Sequence, residues 1–176
     1  ASLVVSYATE TGYKKLNPNG EKVNIIPGDI DASKSSLNCF DGASVDNDVV
    51  CYFTTYDSYG NRAGSSDARG GFSVIASKAG EQSIEISGTA EYNPKYINRY
   101  IIRFRIEKSG TWQISGSYLD LPFFDVSYVK ILPGPFDASK SIFACVENVP
   151  AMSEATCTIQ GRDSHNNIVM ATESIA

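Results

Sequence analysis

Apolar residues recur at every second position through Tyr100-Ile101-Ile102-Arg103-Phe104-Arg105-Ile106, with Arg at two of the three positions between them. Tyr100, Ile102, Phe104 and Ile106 share one face and Arg103 and Arg105 the other, the pattern of a half-buried strand. Weaker versions of the same pattern predict strands over residues 31–40 and 49–56, separated by the polar turn at 41–48, then over 72–77 and about 82–91. Trp112, Ile114 and Tyr118 point inward from a further strand, and residues 123–132 supply the last one. Asp57-Ser58-Tyr59-Gly60-Asn61 has turn chemistry, with Asn and Gly tolerant of positive φ. No helix of ordinary length is predicted, and the expected fold class is all-β.

Sliding the chain along itself reveals a repeat. Pro27-Gly28-Asp29-Ile30-Asp31-Ala32-Ser33-Lys34-Ser35 returns as Pro133-Gly134-Pro135-Phe136-Asp137-Ala138-Ser139-Lys140-Ser141, an offset of 106. The register then holds without a gap: Cys39 falls on Cys145, Cys51 on Cys157, and Asp57-Ser58-Tyr59-Gly60-Asn61 on Asp163-Ser164-His165-Asn166-Asn167. Between 27–70 and 133–176, 12 of 44 positions are identical, and they concentrate at turns and cysteines. A period of this size suits an immunoglobulin-like sandwich of about seven strands and roughly 100 residues. The expected organisation is one complete unit over 27–132, the last strands of a preceding unit over 1–26, and the first strands of a following unit over 133–176. Neither end piece is long enough to close a core alone.

The residues at this point resemble filamin, or actin-binding-protein-280-type, repeats. The resemblance is carried by Asp57-Ser58-Tyr59-Gly60-Asn61, Gly70-Gly71-Phe72-Ser73-Val74, Gly110-Thr111-Trp112-Gln113-Ile114 and the junction Val129-Lys130-Ile131-Leu132-Pro133-Gly134-Pro135. It implies immunoglobulin-like β-sandwiches in tandem, forming a rod that acts as a cross-linker, surface adhesion protein or scaffold. It also implies that an extended peptide adds to an edge strand, here Phe72, Val74, Ile84 and Ile86, although Ser, Lys and Gly in this stretch equally suit a plain solvent-facing edge. The chain departs from cytoplasmic family members in its paired cysteines. Of the three connectivities open to four cysteines, Cys39 with Cys51 and Cys145 with Cys157 is the natural one; the alternative is two pairs of buried free thiols. Disulfides would place the chain outside the reducing cytosol, secreted or at a cell surface.

Charge removes other classes of function. With a net charge of -5 and no block of Lys or Arg, the chain lacks the footprint of a nucleic-acid binder or of a protein held on an anionic membrane, and no apolar run is long enough to span a bilayer. No catalytic group, cofactor or metal is expected. His165 is the only histidine, and its counterpart in the other copy is Tyr59. Asp46-Asn47-Asp48, with Asp29 and Asp31, is a calcium candidate weighed against a solvated turn. Trp112 reads as core, and Arg103 and Arg105 as a solvent face or a contact with an acidic neighbouring unit. The leading expectation is an extracellular structural fibre that self-associates through neighbouring repeats. The rivals are an adhesion module that recognises a protein partner, a cytoplasmic actin cross-linker, and a sugar-binding accessory domain using Tyr92 or Tyr96.

Overall fold

The computed structural model describes residues 2–4, 6–9, 12–15, 21–22, 26–87, 89–169 and 173–175. Two four-stranded antiparallel sheets face each other. One contains β5 (Ser36–Cys39), β6 (Val49–Thr54), β9 (Glu91–Tyr92) and β10 (Arg99–Phe104), in the order β5-β6-β10-β9. The other contains β7 (Phe72–Ser77), β8 (Ile84–Ser87), β11 (Gly110–Tyr118) and β12 (Leu121–Ile131), in the order β12-β11-β7-β8. Ahead of them lie two short pairs: β1 (Ser2–Leu3) with β4 (Glu21–Lys22), and β2 (Ser6–Thr9) with β3 (Gly12–Lys15). After them, β13 (Ile142–Cys145), β14 (Cys157–Gln160) and β15 (Glu173–Ile175) form a third antiparallel sheet.

The alternating residues meet between the two large sheets. Leu37, Cys51, Phe53, Tyr100, Ile102 and Phe104 come from one, and Phe72, Val74, Trp112, Ile114, Phe123 and Val129 from the other; all are buried. Their centre is a chain of rings, with Phe53 stacked on Phe72 at 4.6 Å and Phe72 tilted against Tyr100 at 4.4 Å. Gly116 on β11 faces this cluster because nothing larger fits: a Cβ there would lie 2.9 Å from the Phe53 ring. The two buried polar ends are satisfied. Trp112 Nε1–H donates to the Lys108 carbonyl at 2.9 Å, and the Tyr100 hydroxyl donates to Ser65 O and accepts from Ser65 N. Burial pushes the Tyr100 phenol up to about 12.

Three local expectations change. The strand expected from residue 31 begins only at Ser36, because the Asp31 carboxylate accepts from both the backbone N–H and the hydroxyl of Ser33 and winds Ala32–Lys34 into a 3-10 turn. The strand expected over about 82–91 divides into β8 and β9, which belong to opposite sheets. The chain crosses the gap between them beside buried Ala90, whose N–H donates to Arg69 O. Finally, β7 is no edge: it pairs with β11 on one side and β8 on the other, and Phe72 and Val74 lie in the core.

Candidate functional site

Among the regions of the sandwich able to meet a partner are the outer surface of one sheet and the pole where the chain passes into β13–β15. The outer surface follows from a single alternation kept along the whole of β12. Its last part pairs in regular alternation with β11, so Val126 and Tyr128 point out while Val129 and Ile131 contribute to the core. Between the pairs Ser115–Val126 and Ser117–Pro122 the register shifts, so that β12 places three residues opposite one of β11. The extra residues are two, so the phase is kept across the irregularity: Phe123 lies on the core side with Val129 and Ile131, and Phe124 is 87% exposed. Tyr128 is 61% exposed, and Val126 lies in one cross-strand row with Ser115 and Ile75, both apolar members of the row being exposed. Serines 73, 115 and 117 separate these apolar groups, Ser73 and Ser117 sharing a hydrogen bond of 2.6 Å. The free side of β12 is not an open strand edge, since Cys39 N–H donates to Ser127 Oγ and Lys130 N–H to Asp41 Oδ1.

The expected peptide-binding edge reduces to β8. Phe72 and Val74 are unavailable for the reason given above, whereas Ile84 and Ile86 lie on the edge strand itself, half-buried and packed against the core. Their side chains face inward, so what β8 offers a partner is main chain.

At the pole, one carboxylate organises a turn and the chain that arrives beside it. Asp163 Oδ1 accepts from the N–H groups of His165 at 2.9 Å and Asn167 at 2.8 Å, while Oδ2 accepts from Gly134 N–H at 2.8 Å and from Asn167 Nδ2 at 2.9 Å. Burial alone would raise this carboxyl, but the Asn167 and Gly134 donors outweigh it and hold the group below the usual carboxylate range. The same bonds occur 106 residues earlier, where Asp57 accepts from Gly28, Tyr59 and Asn61. There the Asn61 side chain, then the Gly28 N–H, bring the carboxyl down to about 2. The downstream turn also reaches across to the sandwich. Asn167 Nδ2 donates to Glu107 O and its Oδ1 accepts from Ser109 N–H, both at 2.9 Å. His165 sits between Asp46, at 3.6 Å, and Glu107, at 3.9 Å.

The remaining candidates take structural places. Cys39 is joined to Cys51 and Cys145 to Cys157, each pair directly opposite in its hairpin, so each bond ties neighbours within one sheet. Trp112 is core. Arg103 pairs with Glu91 and Arg105 with Asp48 on the solvent face, where water and salt screen such pairs. Among the described residues no group of three or more His, Cys, Asp or Glu has the geometry of a metal site. In the calcium candidate, Asp48 faces Arg105 and Asp46 faces His165, while Asp31 is used by Ser33. Tyr92 packs against Tyr100, and Tyr96 lies under Arg99 and Lys95. No helix among the described residues is long and apolar enough to cross a membrane.

No protein-family model and no curated protein matches the chain. Solved structures do. The chain is similar to the Escherichia coli adhesin FdeC, with a TM-score of 0.52 at 15% identity over 87% of this chain and 48% of that one. It is also similar to Yersinia pseudotuberculosis InvD, with a TM-score of 0.54 at 14% identity over 100% of this chain and 59% of that one. The chain thus spans about half the length of these two structures. Neither of them is a filamin repeat, so the filamin-type detail of the resemblance gains nothing from them. What the chain shares with them is its fold: an all-β, immunoglobulin-like sandwich of the kind found in bacterial adhesins.

Proposed function

We propose that the chain is part of a cell-surface adhesion protein, displayed outside the reducing cytosol, in which sandwich units strung in tandem carry a surface that binds a protein partner. The observation that carries this reading is the apolar outer group Phe124, Val126, Tyr128 and Ile75, set among Ser73, Ser115, Ser117, Gln113 and Glu85 on the same face. A side chain as exposed as Phe124 does nothing for the core, whereas a rigid aromatic on a firm sheet makes a low-entropy anchor for a partner. The adhesin likeness supports the setting, and the two disulfides support the compartment. Main-chain addition at β8, beside Ile84 and Ile86, is a second contact available to the same partner.

The test is adherence of beads coated with the full chain to cell monolayers. Adherence is expected for the unmodified chain and is lost in Phe124→Ser with Tyr128→Ser; equal adherence of the two rejects this surface. The fibre reading, in which filamin-like repeats self-associate, is favoured by the bonded junction at Asn167. It predicts concentration-dependent assembly in sedimentation, where the adhesion reading predicts a monomer.

A further inference from the structure

The turn that seats Asn167 on the sandwich has a counterpart at the opposite pole, formed in the same way and left uncovered. Asn167 is 7% exposed, with its carboxamide spent on Glu107 O and Ser109 N–H. Asn61 occupies the same place in the first turn, held by the same carboxylate geometry, and is exposed. His165 faces two acids of the sandwich, whereas Tyr59 at the matching position is 89% exposed.

We propose that the pole formed by Tyr59, Asn61 and Leu119 is a docking surface for another sandwich unit of the same kind, placed directly before Pro27 in the chain. Asn61 binds that unit by its backbone, through one carbonyl and one N–H. The proposal rests on the tandem reading above. A side-chain amide presents an acceptor and a donor side by side, which matches the C=O of one residue and the N–H two residues on, both on the same side of extended chain. Asn167 makes this match to Glu107 and Ser109. Because Asp57 takes the Gly28 N–H as Asp163 takes that of Gly134, a unit ending just before Pro27 is delivered to Asn61 as the sandwich is delivered to Asn167.

The pole also has an apolar part. Leu119 and Asp120, the tip of the β11–β12 hairpin, hold φ of 48° and 65°, a conformation better suited to Asn-Gly. Leu119 N–H donates to Gly71 O at 2.8 Å, which steadies the tip, and the leucine side chain remains 65% exposed. With Pro27, Gly28 and Tyr118 it lines a cavity of about 520 Å³ beside the arriving chain. A strained, exposed leucine next to the point of arrival is the apolar complement to the Asn61 bond.

The experiment is amide hydrogen exchange on the full chain with residues 27–132 duplicated in register, so that Leu132 is followed by Pro27. The Ser109 amide of the leading copy should exchange at least about tenfold more slowly than in the same protein carrying Asn61→Ala in the trailing copy. The trailing Ser109, held by Asn167, should not change. Should the duplicated chain fail to fold, the unduplicated chain decides through Leu3, the counterpart of Ser109 in the sequence repeat, which pairs here with Glu21; its amide should respond to Asn61→Ala in the same way. An exchange rate independent of Asn61, as expected if this pole instead takes an unrelated peptide or nothing, overturns the proposal. If Asn167→Ala also leaves Ser109 unchanged, the tandem junction falls with it.

Discussion

Asp57 and Gly28 are joined by a 3.0 Å hydrogen bond in which a buried carboxylate receives the backbone N–H of the arriving chain. The bond has a pH signature. The folded-state carboxyl lies at about 2, below its ordinary value, so its stabilisation is complete above the unfolded value near 4 and is lost as pH falls toward about 2. Thermal melts of the unmodified chain should therefore drop steeply between about pH 5 and pH 2. Asp57→Asn should lower the melting temperature at neutral pH and flatten that acid slope. An unchanged slope in the variant would mean that the carboxylate is not held by these donors.

The disulfides give a second prediction. The Cys39–Cys51 bond closes a loop with a sequence separation of 12, and its removal in Cys39→Ala with Cys51→Ala should cost about 3 kcal/mol in denaturant unfolding. Thiol titration of the unreduced, unfolded chain should find no free cysteine.

Gly116 tests the packing of the ring cluster. Gly116→Ala places a methyl group against Phe53 and should destabilise the sandwich by about 1–3 kcal/mol, with near-ultraviolet circular dichroism of the aromatics altered. Full stability in this variant would show that β11 and β6 are further apart than described.

Asn167 tests the junction. Asn167→Ala should speed exchange of the Ser109 amide about tenfold while leaving the core amides of Trp112 and Ile114 unchanged. The distribution of particle dimensions in small-angle scattering should broaden, because two of the bonds that set the orientation of the last sheet are gone.

Much of the sandwich is legible along the chain because a strand with one wet face must alternate, and Tyr100, Ile102 and Phe104 do so without interruption. What alternation cannot show is which strands are neighbours. Phe72 and Val74 display the same pattern in a central strand as in an edge strand, so their role as a binding edge was decided by strand order, a property of the whole fold. The crossing from β8 to β9 was hidden for a similar reason: Ile84, Ile86 and Tyr92 keep one phase although the chain changes sheets between them. Phe124 was missed because polar Asp125 and Ser127 occupy the inward phase between Phe123 and Val129 and mask the alternation that turns Phe123 in and Phe124 out. The Asp57 and Asp163 turns were visible as a repeated string of residues, but their hold on Gly28 and Gly134 is a contact across 29 positions and appears only when the chain is folded.

Because the cystine ties two adjacent strands of one sheet, no disulfide joins the two sheets of the sandwich. A pull applied along the chain, of the kind a tether between surfaces must bear, can part the sheets but cannot draw out the loop between Cys39 and Cys51. On giving way, the sandwich then lengthens by about 40 Å less than its number of residues would allow, since 12 residue steps at about 3.4 Å stay locked. The bond leaves the force of first rupture to the aromatic core and instead limits the slack released afterwards.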